Sequence, residues 1–206
     1  MSAPLIAVID YGIGNLRSAQ KALQKVGADA RLTNDASLIR DASGVVLPGV
    51  GAFGACMNAL TTSGLEPLVR ESIAGGRPFL GICVGMQMLF DDSEENPGVR
   101  GLGILPGTVR YLPSDVKRPQ MQWNRVHVQR ADAMFAGLPA EPWMYFVHSL
   151  HPVPSDSMCI VATADYGCQV TAAVRKDNVF AVQFHPEKSA VDGLSLLGNF
   201  VESARV

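Results

Sequence analysis

A cysteine stands between two glycines in Gly81-Ile82-Cys83-Val84-Gly85-Met86-Gln87, where the apolar run Pro78–Ile82 gives way to helix-like sequence. A strand that passes directly into a helix needs a sharp turn, and the residue at its apex is thrust outward, often under backbone strain. Serine hydrolases expose a nucleophile in this way, with flanking glycines relieving the crowding. A thiol in the same setting could attack a carbonyl carbon. The competing reading is a buried cysteine that acts as a small hydrophobe. Because a thiol is a weak nucleophile at neutral pH without a neighbouring base or positive charge, the remainder of the chain has to decide.

Of the four histidines, His127 falls within a strand pattern and reads as structural or surface, while His148 and His151 fall in a loop after the run Trp143–Val147. His185 differs, ending a strand-like run in Phe184-His185-Pro186-Glu187. Proline keeps the residue before it extended, and in extended backbone residues i and i+2 project to one side, which sets Glu187 beside His185. A carboxylate there fixes the imidazole tautomer and stabilises the imidazolium. His-Pro-Glu alone could merely close a strand; beside a glycine-flanked cysteine, a base and its orienter is the better reading. Acyl transfer also needs N–H donors for an oxyanion. The glycines of Pro48-Gly49-Val50-Gly51-Ala52-Phe53-Gly54 allow the Val50 amide to point inward, and the Val84 N–H, directly after the cysteine, is the second candidate. Such a loop can equally be an ordinary turn.

Positioning these residues requires a sheet. Leu5–Ile9, Gly44–Leu47 and Pro78–Ile82 are short apolar strand candidates, separated by Leu16–Val26 and by a helical stretch up to Ala74 that Gly64 breaks. Alternating strands and helices predict an α/β fold of three layers, a mainly parallel sheet with helices on both faces. In the second half, Thr108–Leu112, Arg125–Gln129, Trp143–Val147, Cys159–Ala164, Gln169–Arg175 and Val179–Phe184 read as strands with short connections, antiparallel additions to that sheet; Ala190–Val201 reads as a closing helix. Reactive groups in such sheets collect beyond the carboxyl ends of the strands, so Asp10, Pro48–Gly51, Cys83 and His185 are expected to share one crevice.

With 206 residues, 48% hydrophobic and 17% charged, the chain is expected to form one domain over 1–206 with a substantial core. A net charge of −2 offers no electrostatic footprint for nucleic acid or an anionic membrane. Cys56, Cys83, Cys159 and Cys168 show no metal-ligand spacing, and no cofactor or metal is expected. Met1-Ser2-Ala3-Pro4 does not open a signal peptide, and no apolar stretch is long enough to span a membrane; reduced thiols and a cytoplasmic location are the expectation. Gly12-Ile13-Gly14-Asn15-Leu16-Arg17 suggests a dinucleotide loop, but Arg17 occupies the third glycine position and the fingerprint fails.

Together, the cysteine elbow, the Pro48–Gly54 loop and His185-Pro186-Glu187 resemble the class I glutamine amidotransferases, in the order and separations of that family over nearly the whole chain. The resemblance implies a Cys83-His185-Glu187 triad that hydrolyses L-glutamine through a thioester on Cys83, with Gly51, Gln87, His148, Ser149 and Leu150 holding the substrate. Asp10–Ser18, Met86, Pro119–Asn124 and Tyr145–Ser149 further resemble a branch of the family that serves as the glutaminase subunit in histidine biosynthesis. In that branch Gln122 replaces a usual glycine, which bears on the backbone of its loop and on partner fit. The branch implies a (β/α)₈-barrel cyclase as partner, using the released ammonia to form imidazole glycerol phosphate and an aminoimidazole carboxamide ribonucleotide. Since the motifs occupy most of the chain, the ammonia acceptor is expected on that second chain, with Asn15, Trp123 and Tyr145 as candidate partner-facing residues. The glutaminase subunit of another amidotransferase and a stand-alone cysteine hydrolase of the same fold are the alternatives.

Overall fold

Almost every residue is buried in β1 (Leu5–Ile9), β3 (Gly44–Gly49) and β4 (Phe79–Cys83). Neighbouring residues of a strand face opposite sides, so runs of this kind must be covered on both faces. The cover comes from α1 (Leu16–Lys25), α2 (Ala36–Asp41), α3 (Phe53–Thr62), α4 (Glu66–Ala74) and the closing helix α6 (Ala190–Ser203), with α1 against α6 and α2 against α4. The structure is a computed structural model that describes residues 3–205. Met1 and Ser2, which begin the stretch read above as no signal peptide, lie outside the described residues, as does Val206.

Between these elements run β2 (Asp29–Thr33), the single turn α5 (Val84–Gln87), β5 (Asp92–Ser93), β6 (Gly107–Tyr111), β7 (Gln120–Arg125), β8 (His127–Val128), β9 (Trp143–His148), β10 (Leu150–Pro154), β11 (Ile160–Asp165), β12 (Gln169–Lys176) and β13 (Val179–Val182). The main sheet has the order β2-β1-β3-β4-β13-β12-β11-β8. It is parallel from β2 to β13 and antiparallel beyond. β4 lies between β3 and β13, all three running the same way. The segments that follow them therefore emerge at one edge, which is the geometric origin of the site.

Several expectations are corrected. Of the second-half runs, β11, β12, β13 and the short β8 join the main sheet; β10, β6 and β5 form a separate sheet, and β7 with β9 a two-stranded ribbon. Gln120–Asn124, expected as a loop, is strand β7, and Gln122 is an exposed ladder residue opposite Phe146. Glycine has no special role at that position, since the backbone is a regular strand. His148 and His151 lie at the end of β9 and within β10 rather than in a loop. Cys159 belongs to a 3₁₀ turn, Ser157–Cys159, before β11. Neither β2, an edge strand of mixed polarity, nor α2 was expected; α2 is short and is started by Asp35, whose carboxylate accepts from Ser37 N at 2.7 Å and Leu38 N at 3.1 Å.

The elbow after β4 is packed against the end of β3. A Cβ on Gly85 would fall 1.9 Å from the Leu47 carbonyl oxygen, and one on Gly49 would fall 2.6 Å from Gly85 N. Backbone meets backbone here, so no rotamer change makes room. Gly85→Ala should lower stability by about 3 kcal/mol or more. Gly198→Ala, where a Cβ in α6 meets nothing within 4 Å, should be neutral or stabilising by up to about 1 kcal/mol. Urea unfolding of the two variants checks this, and equal midpoints would contradict the packing account.

Candidate active site

Cys83 ends β4 with φ 56° and ψ −113°, a left-handed backbone that a side chain rarely adopts. Strain of this kind costs about 1–3 kcal/mol and persists only where the surroundings over-determine it. Here Cys83 is in register with Gly49 on β3, and Gly81 is held 3.0 Å (from its would-be Cβ) from the Gly85 carbonyl. The two flanking glycines let the chain reverse within one turn, and the turn aims the thiol into a cavity of about 540 Å³.

That cavity is walled by Val50, Gly51, Cys83, Val84, Gln87, His148, Ser149, Leu150 and His185, together with Asn15. The sequence-derived candidates for nucleophile, base, oxyanion donors and substrate contacts thus meet in one place. Asp10 is not in the wall: its Oδ1 accepts from Gly12 N at 3.1 Å, shaping the turn that brings Gly14 and Asn15 there. The other thiols are elsewhere. Cys56 donates to the Val50 carbonyl at 3.5 Å, and burial pushes the thiols of Cys56, Cys159 and Cys168 up, away from thiolate. Among the described residues there is no cluster of three or more His, Cys, Asp or Glu side chains poised for a metal.

His185 has the extended backbone expected before proline, φ −103° and ψ 94°. Glu187 reaches it by a different route from the one anticipated, since Pro186–Lys188 forms a 3₁₀ turn rather than continuing extended. That turn folds the carboxylate back so that Nδ1 of His185 lies 2.8 Å from Oε1 of Glu187, both side chains at most 2% exposed. Asn15 Nδ2 donates to the same oxygen at 3.3 Å. Asn15 sits at the N-cap of α1 but makes no side-chain cap there; its amide is diverted to the carboxylate. The backbone of His185 is fastened to β9: its N–H donates to Tyr145 O at 2.9 Å, and its carbonyl accepts from Ser189 Oγ at 2.6 Å, which in turn accepts from Tyr145 N at 2.9 Å.

Burial by itself would drive His185 towards the neutral ring. The hydrogen bond to Glu187 and the charge interactions with Cys83 and Glu187 outweigh it and raise the pKa to about 10. His148 is the opposite case. Burial lowers it to about 4, and its Nδ1 lies 2.8 Å from the Leu150 carbonyl, which can only accept. His148 is therefore a neutral ring with the proton on Nδ1, and of the two histidines in the cavity wall only His185 carries charge at neutral pH.

Four further residues escaped the sequence reading. Glu95, whose Oε2 accepts from Phe53 N at 2.7 Å, and Lys188 bring opposite charges to the cavity wall. Ser189 ties His185 to β9, and Gln183, fully buried, reaches Cys83. The signal for Gln183 was present, as the lone polar residue in the run Val179–Phe184. Trp123 and Tyr145 lie outside the cavity, cross-strand partners on the ribbon with rings edge-to-face at 6.1 Å.

A family model described as "Glutamine amidotransferase class-I" matches residues 7–204. "Imidazole glycerol phosphate synthase subunit HisH" of Syntrophotalea carbinolica is 50% identical over 204 residues, covering 95% of this chain and 98% of its own length. The protein of the same name from Moorella thermoacetica is 47% identical over 97% of this chain and 95% of its own. Among solved structures, "Structure of PurLQS from Thermotoga maritima" superposes with a TM-score of 0.77 at 19% identity, covering 97% of this chain and 98% of that one. At that identity the likeness speaks to the fold alone.

The opposed environments of the two cavity histidines make a direct prediction. In ¹⁵N NMR of histidine-labelled protein, His185 should remain an imidazolium through about pH 8, while His148 stays neutral down to about pH 5. Replacing either Cys83 by Ala or Glu187 by Gln removes one of the two groups that raise the His185 value, so its titration should move down. A His185 transition near 6.5 in the unaltered protein would contradict the coupled arrangement.

Proposed function

The chain belongs to the class I glutamine amidotransferases, and we propose that it is the glutaminase subunit of an imidazole glycerol phosphate synthase. It is read as one amidotransferase domain that works in the cytoplasm, where thiols stay reduced. The observation that carries the reading is the convergence of a strained, glycine-flanked thiol and a buried imidazole–carboxylate pair on one cavity.

The chemistry follows from those groups. The Cys83 sulfur attacks the γ-carboxamide carbon of glutamine, forming a C–S bond and a tetrahedral oxyanion to which the N–H groups of Val50 and Val84 donate. One such donor is typically worth about 3–4 kcal/mol. The His185 imidazolium gives its proton to the leaving nitrogen, the C–N bond breaks, and ammonia departs from a thioester. Neutral His185 then takes a proton from water, the resulting hydroxide adds to the thioester carbon, and collapse expels the Cys83 thiolate and releases glutamate. Glu187 exchanges no proton with the substrate and steadies the ring each time it is charged. Glu95 and Lys188 suit the ammonium and carboxylate ends of a free amino acid, while Gly51, Gln87 and the His148–Leu150 segment hold its length.

Ammonia made here is useful only if a second protein consumes it. The ribbon presents Met121, Trp123 and Trp143, 63%, 44% and 47% exposed, on the face that also carries Tyr145. Val147, on the same strand, and Lys188, whose Nζ lies 6.0 Å from the Tyr145 ring, belong to the cavity wall. An apolar face continuous with the site fits a partner that receives ammonia, a (β/α)₈-barrel cyclase in this reading, with Trp123 and Tyr145 as contacts. Asn15 serves chiefly to hold Glu187.

The test is an assay of the complex with such a cyclase, fed either glutamine or ammonium. Cys83→Ala should abolish the glutamine-dependent reaction and leave the ammonia-dependent one intact. His185→Ala should approach the same loss, whereas Glu187→Gln should retain residual turnover, within the roughly 10²–10⁴-fold typical of acid–base contributions. Retention of glutamine-dependent turnover by Cys83→Ala would overturn the reading.

A further inference from the structure

The wall of the cavity contains a chain of hydrogen bonds whose donors and acceptors are fixed by chemistry. It begins at the Leu150 carbonyl oxygen, which can only accept. His148 Nδ1 lies 2.8 Å from it and Gln87 Nε2 lies 3.1 Å from it, so both present N–H groups. Gln87 Nε2 also lies 3.0 Å from Oε1 of Gln183. Because that nitrogen only donates, the Gln183 atom facing it must be the carbonyl oxygen, and the opposite end of the Gln183 amide must be the NH₂ group. That group lies 3.7 Å from the sulfur of Cys83. An amide flip at Gln183 would set nitrogen against nitrogen at Gln87, so the orientation is determined by the network rather than chosen.

Gln183 is fully buried and continues β13, its own N–H bound to Ala172 O at 2.9 Å. A long amide buried just past the end of an apolar strand is costly unless it is satisfied, and one end of this one faces sulfur. An N–H is a better partner for a sulfur anion than for a neutral thiol, since hydrogen bonds to charged groups are the stronger kind. We propose that Gln183 is a positioning residue for the reaction: its amide donates to the Cys83 sulfur, favours the thiolate, and couples the nucleophile through Gln87 to the Leu150 carbonyl at the substrate side of the cavity. The role rests on the reading of Cys83 as the nucleophile. His185 acts on the sulfur by proton transfer; Gln183 acts by a fixed dipole from another side and exchanges no proton.

The two substitutions Gln183→Met and Gln183→Glu separate this role from a merely structural one. Methionine keeps the length and removes both polar ends. Glutamate keeps an oxygen that can accept from Gln87 but replaces the N–H facing sulfur by a second oxygen. The readout is the pH profile of alkylation by iodoacetamide, followed by mass spectrometry on the peptide that contains Cys83 in the full chain. The expected midpoint lies about one pH unit higher in Gln183→Met than in the unaltered protein, and higher still in Gln183→Glu. If Gln183→Met is folded and keeps the original midpoint, the proposal is overturned, whether or not Gln183→Glu folds. A Gln183→Glu profile like that of the unaltered protein overturns it too, leaving the amide only as an acceptor for Gln87. Failure of the underlying reading looks different: iodoacetamide would then modify Cys83 of the unaltered protein no faster than Cys159 or Cys168.

Discussion

The backbone of Gly85 lies so close to the Leu47 carbonyl that no side chain fits between them, and much of the site depends on that contact. It brings the start of α5 against the end of β3, so the chain leaving β4 must turn within a single residue. The turn forces Cys83 into left-handed backbone, a strain that packed neighbours on both sides sustain. The same contact sets the Val84 amide beside the loop that carries Val50. The placement of Cys83, Val84 and Val50 is thus a consequence of one close approach between two parallel strands, made possible by small residues where the strands end.

The second half of the site is electrostatic and dry. His185 and Glu187 are almost completely removed from water, where an ion pair is stable only if its remaining hydrogen-bonding capacity is met. Asn15 adds a second donor to the carboxylate oxygen that His185 holds, and Glu187 and Cys83 together favour the charged ring. The backbone of His185 is bonded to Tyr145 and, through Ser189, bonded to it again. Tyr145 lies on the exposed, apolar face of the ribbon, and the same ribbon leads into the His148–Leu150 wall of the cavity. A protein docking on Trp123 and Tyr145 would press on the strand that holds His185. Position of the ribbon and geometry of the site cannot change independently.

How much of this was legible in the sequence follows from where burial is uniform. β1, β3 and β4 announce themselves because both faces are covered and every residue is apolar; the α/β class follows from their alternation with helices, and the family match agrees with it. β7 stayed hidden because Gln120-Met121-Gln122-Trp123-Asn124 pairs on one side only and needs no apolar alternation. His185 and Glu187 were paired correctly by a wrong geometry, since proline can open a 3₁₀ turn as readily as it prolongs an extended segment. In the sequence Asn15 reads as partner-facing because the carboxylate it serves lies 172 residues away in the chain, and no local pattern links the two. Gln183 was visible as a polar residue in an apolar run, but nothing in the sequence says which of its two ends faces sulfur. That answer needs the Leu150 carbonyl, which only the folded chain brings within reach.

The central claim is that Cys83 carries the glutamyl group during turnover. It is tested most directly by mixing the chain, in complex with a cyclase, with glutamine, quenching with acid during steady turnover, and digesting for mass spectrometry. The account predicts a fraction of the protein with one glutamyl group in thioester linkage on the Cys83 peptide, labile to hydroxylamine and absent when glutamate replaces glutamine. Turnover with no acyl group on Cys83 at any quench time, or with the group on another residue, would contradict it.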